Sequence, residues 1–310
     1  MNLQSYASRR TNIESRRSAN FMRQLVSIRN PDGISPLFCI HPSGGDIGIY
    51  RKLATRLDPN RSIFGIQSRL ECGASTELSS LDEMAHQYSE IIEMQKPDGP
   101  IRLLGFSLGG FVASLIARNL QQSGRTVSFL GLIDSNPSWT LESDTSRSEL
   151  CARLAQVFEK FQNIGVMRMK PVETVHRDIA ILVDTVLGDQ PVTSSDIMAK
   201  TTAMGYVPDR QVDANALHKF TNTFLTHCRL LKNFRPPQVL CPLSLWWPSE
   251  TENENAAGTE IWSQCAQSTF SASAIKGTHY SIMRGSSVRT LAGELESAIE
   301  LSESLQEAAN

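Results

Sequence analysis

The stretch Ile101-Arg102-Leu103-Leu104-Gly105-Phe106-Ser107-Leu108-Gly109-Gly110 decides the fold. Its first six residues form an apolar run typical of a buried strand, and residues 111–122 have helical spacing that ends before Gly124. A serine two residues from a glycine on each side, at such a strand-to-helix junction, is the pattern of a nucleophile elbow. The glycines allow the backbone to pass closely in a sharp turn, above a helix N-terminus that favours negative charge. We therefore predict that Ser107 is a nucleophile.

Apolar runs bounded by turn residues recur on both sides of this motif and predict further strands. The runs lie at residues 36–40, 62–67, 101–106, 127–133, 242–247 and 271–275, and helical patterns lie at 81–95, 111–122 and 287–305. Near-continuous apolar strands that alternate with amphipathic helices are typical of a sheet covered on both faces. We predict an α/β fold with a mainly parallel, doubly wound sheet.

One long segment interrupts the alternation of strands and helices. Residues 138–236 contain no convincing strand, and three amphipathic stripes lie at 150–161, 179–186 and 217–231. We predict a helical lid inserted between two strands of a core formed by residues 25–137 and 237–310. An extra helical layer without a gating role is the alternative.

Composition and charge narrow the class of protein. The chain has 310 residues, 40% of them apolar, and its 30 Lys and Arg against 32 Asp and Glu give a net charge of −2. That balance does not indicate a nucleic-acid binder. The longest apolar runs are far shorter than the roughly 20 residues of a transmembrane helix. The six cysteines have no paired spacing and the six histidines no HExxH pattern, so we expect reduced thiols, a cytoplasmic protein and no metal site.

The first 24 residues are basic, with five arginines against the single Glu14. A flexible arm or linker is the simplest interpretation. An organellar transit peptide and a basic docking arm are the alternatives, whereas a secretory signal would need an apolar core that this segment lacks.

A serine nucleophile needs a base and an orienting acid, which follow it in the chain order Ser, Asp or Glu, His. His279 follows the last predicted strand and is the predicted base. Two acids compete for the remaining role: Asp134 ends an apolar strand, and Glu250 lies in the acidic run 249–254, which we expect to be a solvated loop. A carboxylate at the end of a buried strand is costly unless it is paired, which favours Asp134.

Backbone amides are expected to bind the oxyanion. The Leu108 amide follows the nucleophile directly, and a second donor should come from the loop His41-Pro42-Ser43-Gly44-Gly45. Gly44 is the first candidate in that loop and Ser43 the second.

Four stretches together resemble the thioesterase domains that end non-ribosomal peptide synthetases and polyketide synthases. They are Pro36-Leu37-Phe38-Cys39-Ile40-His41-Pro42-Ser43-Gly44-Gly45, Gly99-Pro100 with the ten residues quoted above, Leu130-Gly131-Leu132-Ile133-Asp134-Ser135 and Gly277-Thr278-His279. The resemblance implies an α/β-hydrolase fold, Asp134 as the acid and an acyl-enzyme on Ser107. It also implies an acyl or peptidyl thioester substrate on the phosphopantetheine of a carrier protein, in cis or in trans. Release would be by hydrolysis or macrocyclisation, with no cofactor of the enzyme's own.

Two other functions stay open at this stage. A carboxylesterase or lipase would share the three catalytic residues, and a non-catalytic α/β-hydrolase would be a binding module.

The largest apolar side chains of the inserted segment are Phe158, Phe161, Phe220 and Phe224, and we predict that they line an acyl channel.

Overall fold

The computed structural model describes residues 22–74, 78–139, 172–187, 200, 203, 214–231, 234–279 and 281–309. Within these residues seven strands form one sheet in the order β1-β3-β2-β4-β5-β6-β7. The strands are β1 (Leu25–Arg29), β2 (Ile34–Ile40), β3 (Arg61–Ile66), β4 (Ile101–Phe106), β5 (Val127–Ile133), β6 (Leu243–Pro248) and β7 (Phe270–Ile275).

Strands β2 to β7 pair in parallel, and only β1 is antiparallel to its neighbour β3. Every residue of β3, β4, β5 and β6 is buried, as expected for strands covered on both faces. The predicted mainly parallel sheet is confirmed. The sequence did not predict β1, because this half-buried edge strand has no continuous apolar run.

Helices lie between the strands and after the last of them. They are α1 (Arg51–Ala54), α2 (Leu81–Gln95), α3 (Leu108–Gln122), α4 (Val172–Leu187), α5 (Ala214–Leu230), α6 (Glu252–Cys265) and α7 (Ser287–Ala309), with 3-10 turns at Gly48–Tyr50, Pro137–Trp139 and Ser249–Thr251. The predicted helix at 81–95 has the bounds of α2, and α7 extends four residues beyond its predicted end.

The acidic run 249–254, expected to be a loop, is instead a 3-10 turn that leads into α6. The prediction was wrong because the run has few apolar residues, so it shows no helical stripe. Helix α6 is anchored farther along the chain, where Trp262 is fully buried and its indole N–H donates to the Ser135 carbonyl at 2.7 Å.

Helices pack on both faces of the sheet. On one face Val288, Leu291 and Leu295 of α7 lie in one hydrophobic cluster with Leu37 and Leu104 of the central strands. Helix α3 covers the other face, where Gly110 lies beside Leu132 of β5. This layered arrangement places the carboxyl ends of the parallel strands at one edge of the sheet, the edge at which such folds bind their ligands.

The amino ends of the central strands are fastened to α7 by buried charges. Arg61, the first residue of β3, donates to Glu296 at 2.9 Å, and Arg102 of β4 lies 2.7 Å from Glu303. Both arginine side chains are almost fully buried. Since a buried charge is costly unless paired, these contacts fix α7 to this end of the sheet.

The chain divides into two compact units. The first comprises residues up to 42, 46–136 and 236–310, and the second comprises residues 43–45 and 137–235. In the second unit α4 packs against α5, with Ile179 and Leu182 of α4 and Leu225 of α5 buried. These helices coincide with two of the three predicted stripes, and the stripe at 150–161 lies outside the described residues.

Candidate active site

Ser107 lies at the sharp turn between β4 and α3. Its backbone has φ 56° and ψ −125°, a conformation that costs a non-glycine residue about 1–3 kcal/mol and persists only where the surroundings enforce it. The enforcing contacts are hydrogen bonds from the Ser107 N–H to the Ile133 carbonyl (2.9 Å) and from the Ser135 hydroxyl to the Ser107 carbonyl (2.7 Å). The serine is therefore held in the strained elbow geometry expected from its motif.

The two flanking glycines are required by close approach of the backbone. A Cβ atom on Gly105 would lie 2.2 Å from the Gly109 carbonyl group, and one on Gly109 would lie 2.3 Å from the Ile40 carbonyl oxygen. Real side chains do not tolerate such distances, so only glycine permits α3 to begin directly above the ends of β2 and β4. The glycines two residues before and two residues after Ser107 are therefore required by the close contact between the start of α3 and the strand ends.

Asp134 directly follows β5, the strand that pairs with β4. Phe106 and Ile133 are register partners, so the residues after them, Ser107 and Asp134, leave adjacent strands at the same edge of the sheet. The Asp134 side chain is 1% exposed and its backbone has φ 44°. Its N–H donates to the Trp246 carbonyl at 2.8 Å, which fixes the carboxylate relative to β6.

His279 lies in the loop after β7 and is hydrogen-bonded through Nδ1 to Asp134 Oδ2. A carboxylate only accepts, so Nδ1 is the donor, and the neutral imidazole then presents a lone pair at Nε2. The ring also stacks on Phe106, with ring centroids 4.7 Å apart and planes inclined at 26°. These contacts bring the histidine, Asp134 and the residue before Ser107 together.

The hydrogen bond from His279 compensates the cost of burying the Asp134 charge. Among the described residues no group hydrogen-bonds to the buried Asp134 Oδ1, so the imidazole is the main polar contact of this carboxylate side chain. A buried carboxylate without a positive or donating partner is costly. The carboxylate therefore holds the imidazole in a fixed orientation and tautomer, as a general base requires.

The loop that holds His279 has its own local restraints. Gly277 has φ 127°, and a Cβ there would lie 2.5 Å from the Ser281 hydroxyl, which accepts a hydrogen bond from the Thr278 N–H at 2.8 Å. The hydrogen bond that the structure shows between Glu250 and the described part of this loop is made by its backbone N–H, which donates to the Gly277 carbonyl at 3.1 Å, and the residue is exposed. Of the two candidate acids, the structure thus brings Asp134 to His279.

Of the predicted oxyanion donors, Leu108 is the first residue of α3, where backbone N–H groups have no intrahelical acceptor. The loop 41–45 begins at the end of β2, and the fully buried His41 ring contacts the Tyr88 hydroxyl through Nε2 at 2.7 Å. Gly45 has φ 81°, which glycine alone adopts easily. The donor roles of Leu108 and Gly44 stay predictions.

The predicted channel residues are only partly described. Phe224 is buried on α5, whereas the Phe220 side chain and the whole of Phe158 and Phe161 lie outside the described residues. On the same helix His227 is fully buried and its Nδ1 contacts the Ser43 carbonyl at 2.8 Å, within the second unit. The sequence analysis did not single out His227, because a bond to a carbonyl 184 residues away leaves no local signal.

The described residues also bear on other nucleophiles, metal sites and membrane-spanning helices. Burial raises the pKa of the Cys39 thiol well above its ordinary value and that of Cys241 to about 12, so neither is ionised near neutral pH. The described part of the chain contains no group of three His, Cys, Asp or Glu side chains that could hold a metal ion. No helix within it is long and apolar enough to span a membrane.

Comparison with known proteins identifies the family. A family model for the thioesterase domain matches residues 35–299, most of the chain. The chain belongs to the thioesterase domain family. The predicted resemblance is confirmed, and the motif residues Ser107, Asp134 and His279 all lie within the matched range.

Curated relatives of this thioesterase domain are non-ribosomal peptide synthetases. It is 37% identical over 147 residues to the dimodular nonribosomal peptide synthase of Bacillus subtilis, and 40% identical over 116 residues to enterobactin synthase component F of Escherichia coli K12. These alignments cover 46% and 37% of the chain but only 6% and 9% of the relatives. The chain thus spans a small part of the curated proteins it matches.

Solved structures support the fold over a longer span. The NocB thioesterase domain from the nocardicin cluster is 19% identical with a TM-score of 0.61, over 89% of this chain and 99% of that one. The surfactin thioesterase domain is 16% identical with a TM-score of 0.54, over 89% and 95%. The predicted α/β-hydrolase fold is confirmed.

Proposed function

We propose that this thioesterase domain is a serine hydrolase that releases an acyl or peptidyl chain from the phosphopantetheine thioester of a carrier protein. Ser107, His279 and Asp134 act as nucleophile, base and orienting acid. The observation that supports this most strongly is the hydrogen bond from His279 to Asp134 beside the strained Ser107 elbow. Membership of the thioesterase domain family supports a thioester as the bond that is attacked.

The proposed reaction has two halves through a covalent intermediate. His279 Nε2 takes the Ser107 proton as the hydroxyl attacks the thioester carbonyl, and the oxyanion accepts hydrogen bonds from the amides of Leu108 and Gly44. The carbon–sulfur bond then breaks, the leaving pantetheine sulfur takes the proton from His279 and departs as a thiol, and the acyl group stays on Ser107. Asp134 stabilises the imidazolium in each half.

The second half decides the product. Water, or a hydroxyl or amine of the bound chain, gives its proton to His279 and attacks the acyl ester. The bond between the acyl carbon and the Ser107 oxygen then breaks, His279 returns the proton to Ser107, and an acid or a macrocycle is released. No cofactor of the enzyme's own takes part, because the pantetheine arm belongs to the substrate. The carrier protein is the proposed partner, in cis or in trans, and the names of the curated relatives support a peptide synthetase context.

The decisive experiment is mass spectrometry of the intact protein after mixing with a carrier protein loaded with an acyl thioester. We expect a mass increase equal to the acyl group, located on the peptide that contains Ser107, and none in the Ser107→Ala variant. Matched acyl thioesters and oxoesters then distinguish the two enzyme classes. A carboxylesterase would cleave the oxoester much faster, which would overturn the thioesterase proposal, whereas no labelling by a fluorophosphonate probe would overturn every serine-hydrolase mechanism.

A further inference from the structure

Tyr50 is a fully buried tyrosine whose hydroxyl contacts only backbone groups in the hydrogen bonds that the structure shows. It ends the 3-10 turn Gly48–Tyr50, and its ring lies in the hydrophobic cluster on the α7 side of the sheet. Its hydroxyl donates to the Ile40 carbonyl at 2.6 Å and accepts from the Phe106 N–H at 2.8 Å. A hydroxyl has one proton to donate, so these two bonds are mutually consistent.

The two bridged groups belong to the last residues of neighbouring parallel strands. Ile40 ends β2 and is the register partner of Gly105, and Phe106 ends β4. In a parallel pair the carbonyl of one residue normally accepts from the N–H after its partner. The Tyr50 hydroxyl is therefore inserted at the position where a carbonyl-to-amide bond between Ile40 and Phe106 would continue the ladder.

This position lies at the start of both catalytic segments. Phe106 is followed by Ser107 and the Leu108 amide, and Ile40 is followed by His41 and the rest of the proposed oxyanion loop. The distance between the starts of these two segments is thus determined by one atom, the Tyr50 hydroxyl oxygen. A phenylalanine would leave the Ile40 carbonyl and the Phe106 N–H buried without this partner, and the two strand ends would have to shift to pair directly or take up water.

We propose that Tyr50 is a positioning residue that sets the distance between the Ser107 elbow and the first residues of the oxyanion loop. The proposal rests on the catalytic roles given above. Burial is the main cause that raises the pKa of the Tyr50 hydroxyl well above its ordinary value, so the proton donated to Ile40 is retained over the working range of the enzyme. The bridge is therefore independent of pH.

The test is Tyr50→Phe, with kcat and KM for an acyl thioester and the rate of fluorophosphonate labelling measured well below the melting temperature. A misplacement of about 1 Å in an active site can cost about 100-fold in rate. We expect kcat and the labelling rate to fall together by about 10- to 100-fold, with KM within about threefold of wild type. A purely structural tyrosine would lower the melting temperature and leave both rates unchanged.

Arg102→Met is the matched control, because it destabilises β4 at its other end without touching Ile40, Phe106 or Ser107. If both variants lose stability and only Tyr50→Phe loses kcat, the positioning role is supported. If Tyr50→Phe keeps the wild-type kcat and labelling rate, the proposal is overturned. Failure of the proposed function can be told apart from failure of this proposal. If the wild-type protein prefers oxoesters, the thioesterase function is wrong, but the labelling rates of wild type and Tyr50→Phe can still be compared.

Replacement of Tyr50 by 4-aminophenylalanine keeps the test decisive if the phenylalanine variant does not fold. The amine donates and accepts at the same point, but an N–H···O bond is longer than an O–H···O bond by about 0.2 Å. We expect kcat to fall below the wild-type value, with KM unchanged. A folded 4-aminophenylalanine variant with wild-type kcat and labelling rate would overturn the proposal by itself.

Discussion

The two ends of the central strands bury polar groups for different purposes. At the amino ends Arg61 and Arg102 pair with Glu296 and Glu303 of α7, in contacts whose role is to fasten a helix. At the carboxyl ends Ser107 and Asp134 have positive φ angles, and the buried Asp134 carboxylate pairs with a histidine from a distant loop. Positive φ angles also occur near the amino end of β2, at Asn30 and Ser35, but the end where chemistry is proposed combines them with a buried carboxylate that pairs with a histidine. Stability and activity should therefore be separable along a single strand, β4.

The largest expected effect is that of Ser107→Ala. Loss of one catalytic residue of such a set can cost as much as loss of all three, about 10⁶-fold in kcat. The fold should persist, because the hydrogen bonds shown for this buried residue are made by its backbone N–H and carbonyl, and alanine keeps both groups. Steady-state kinetics with a thioester substrate and circular dichroism measure the two properties. Ser114→Ala in α3, which removes only a bond to the Phe111 carbonyl, is the control.

Residual activity of Ser107→Ala above about 1% of wild type would contradict the assignment, since it would require a different nucleophile.

The next effect is that of Asp134→Asn. The amide cannot stabilise the imidazolium and favours the wrong tautomer of His279, so we expect a loss of about 10⁴-fold in kcat. Glu250→Gln is the matched control: it changes a carboxylate that is exposed, and we expect less than about a tenfold change. The reverse ranking would show that the functional acid follows β6 rather than β5.

The residues of the proposed catalytic set could be singled out from sequence because their signals are local, and their roles stay predictions. The glycines around Ser107 are fixed by contacts with Gly109 and Ile40, and a strand end is a recognisable place for Asp134. The positions of Tyr50 and Ser135 could not be predicted. Each acts through a backbone group far away in the chain, and a buried aromatic or small residue in a sequence looks the same with or without such a bond.

Helix boundaries could likewise be predicted in some places and not in others. Helix α2 was predicted to the residue because its apolar stripe is regular and Ser80 caps it by accepting from the Glu83 N–H. The beginning of α6 was not, because its polar first turns are tolerated at the surface while Trp262 anchors the later ones. Periodicity detects helices that bury a stripe along their whole length and misses those held at one end.

A smaller effect on kcat/KM is expected from the predicted channel residues, which lie outside the sheet. If they affect activity, the ends of the strands are not its only determinant. If Phe158, Phe161, Phe220 and Phe224 line an acyl channel, kcat/KM should rise along a thioester series from two to twelve carbons. Burial of each CH₂ contributes about 0.8 kcal/mol, or about fourfold per carbon at most. Alanine at all four positions should flatten that slope, whereas Ile181→Ala, on the exposed face of α4, should not.

A flat wild-type series would contradict the channel, and an unchanged slope in the alanine variant would show that other residues form its walls.

The smallest effect on activity is expected for Arg102→Met, the substitution that tests the contrast most directly. Removal of the hydrogen bond to Glu303 should lower the free energy of unfolding by about 1.5–3 kcal/mol, the usual range for a bond to a charged group. Glu303 is partly exposed and Arg61 lies 3.7 Å from it, so its charge is not stranded. Ser107 directly follows β4, five residues and about 16 Å from Arg102, so kcat should stay within about twofold of wild type. Urea unfolding and kinetics on the same preparation measure both. A fall in kcat as large as that of Tyr50→Phe would mean that the amino ends of the strands also determine the geometry of the elbow, and the separation of stability from activity along β4 would be lost.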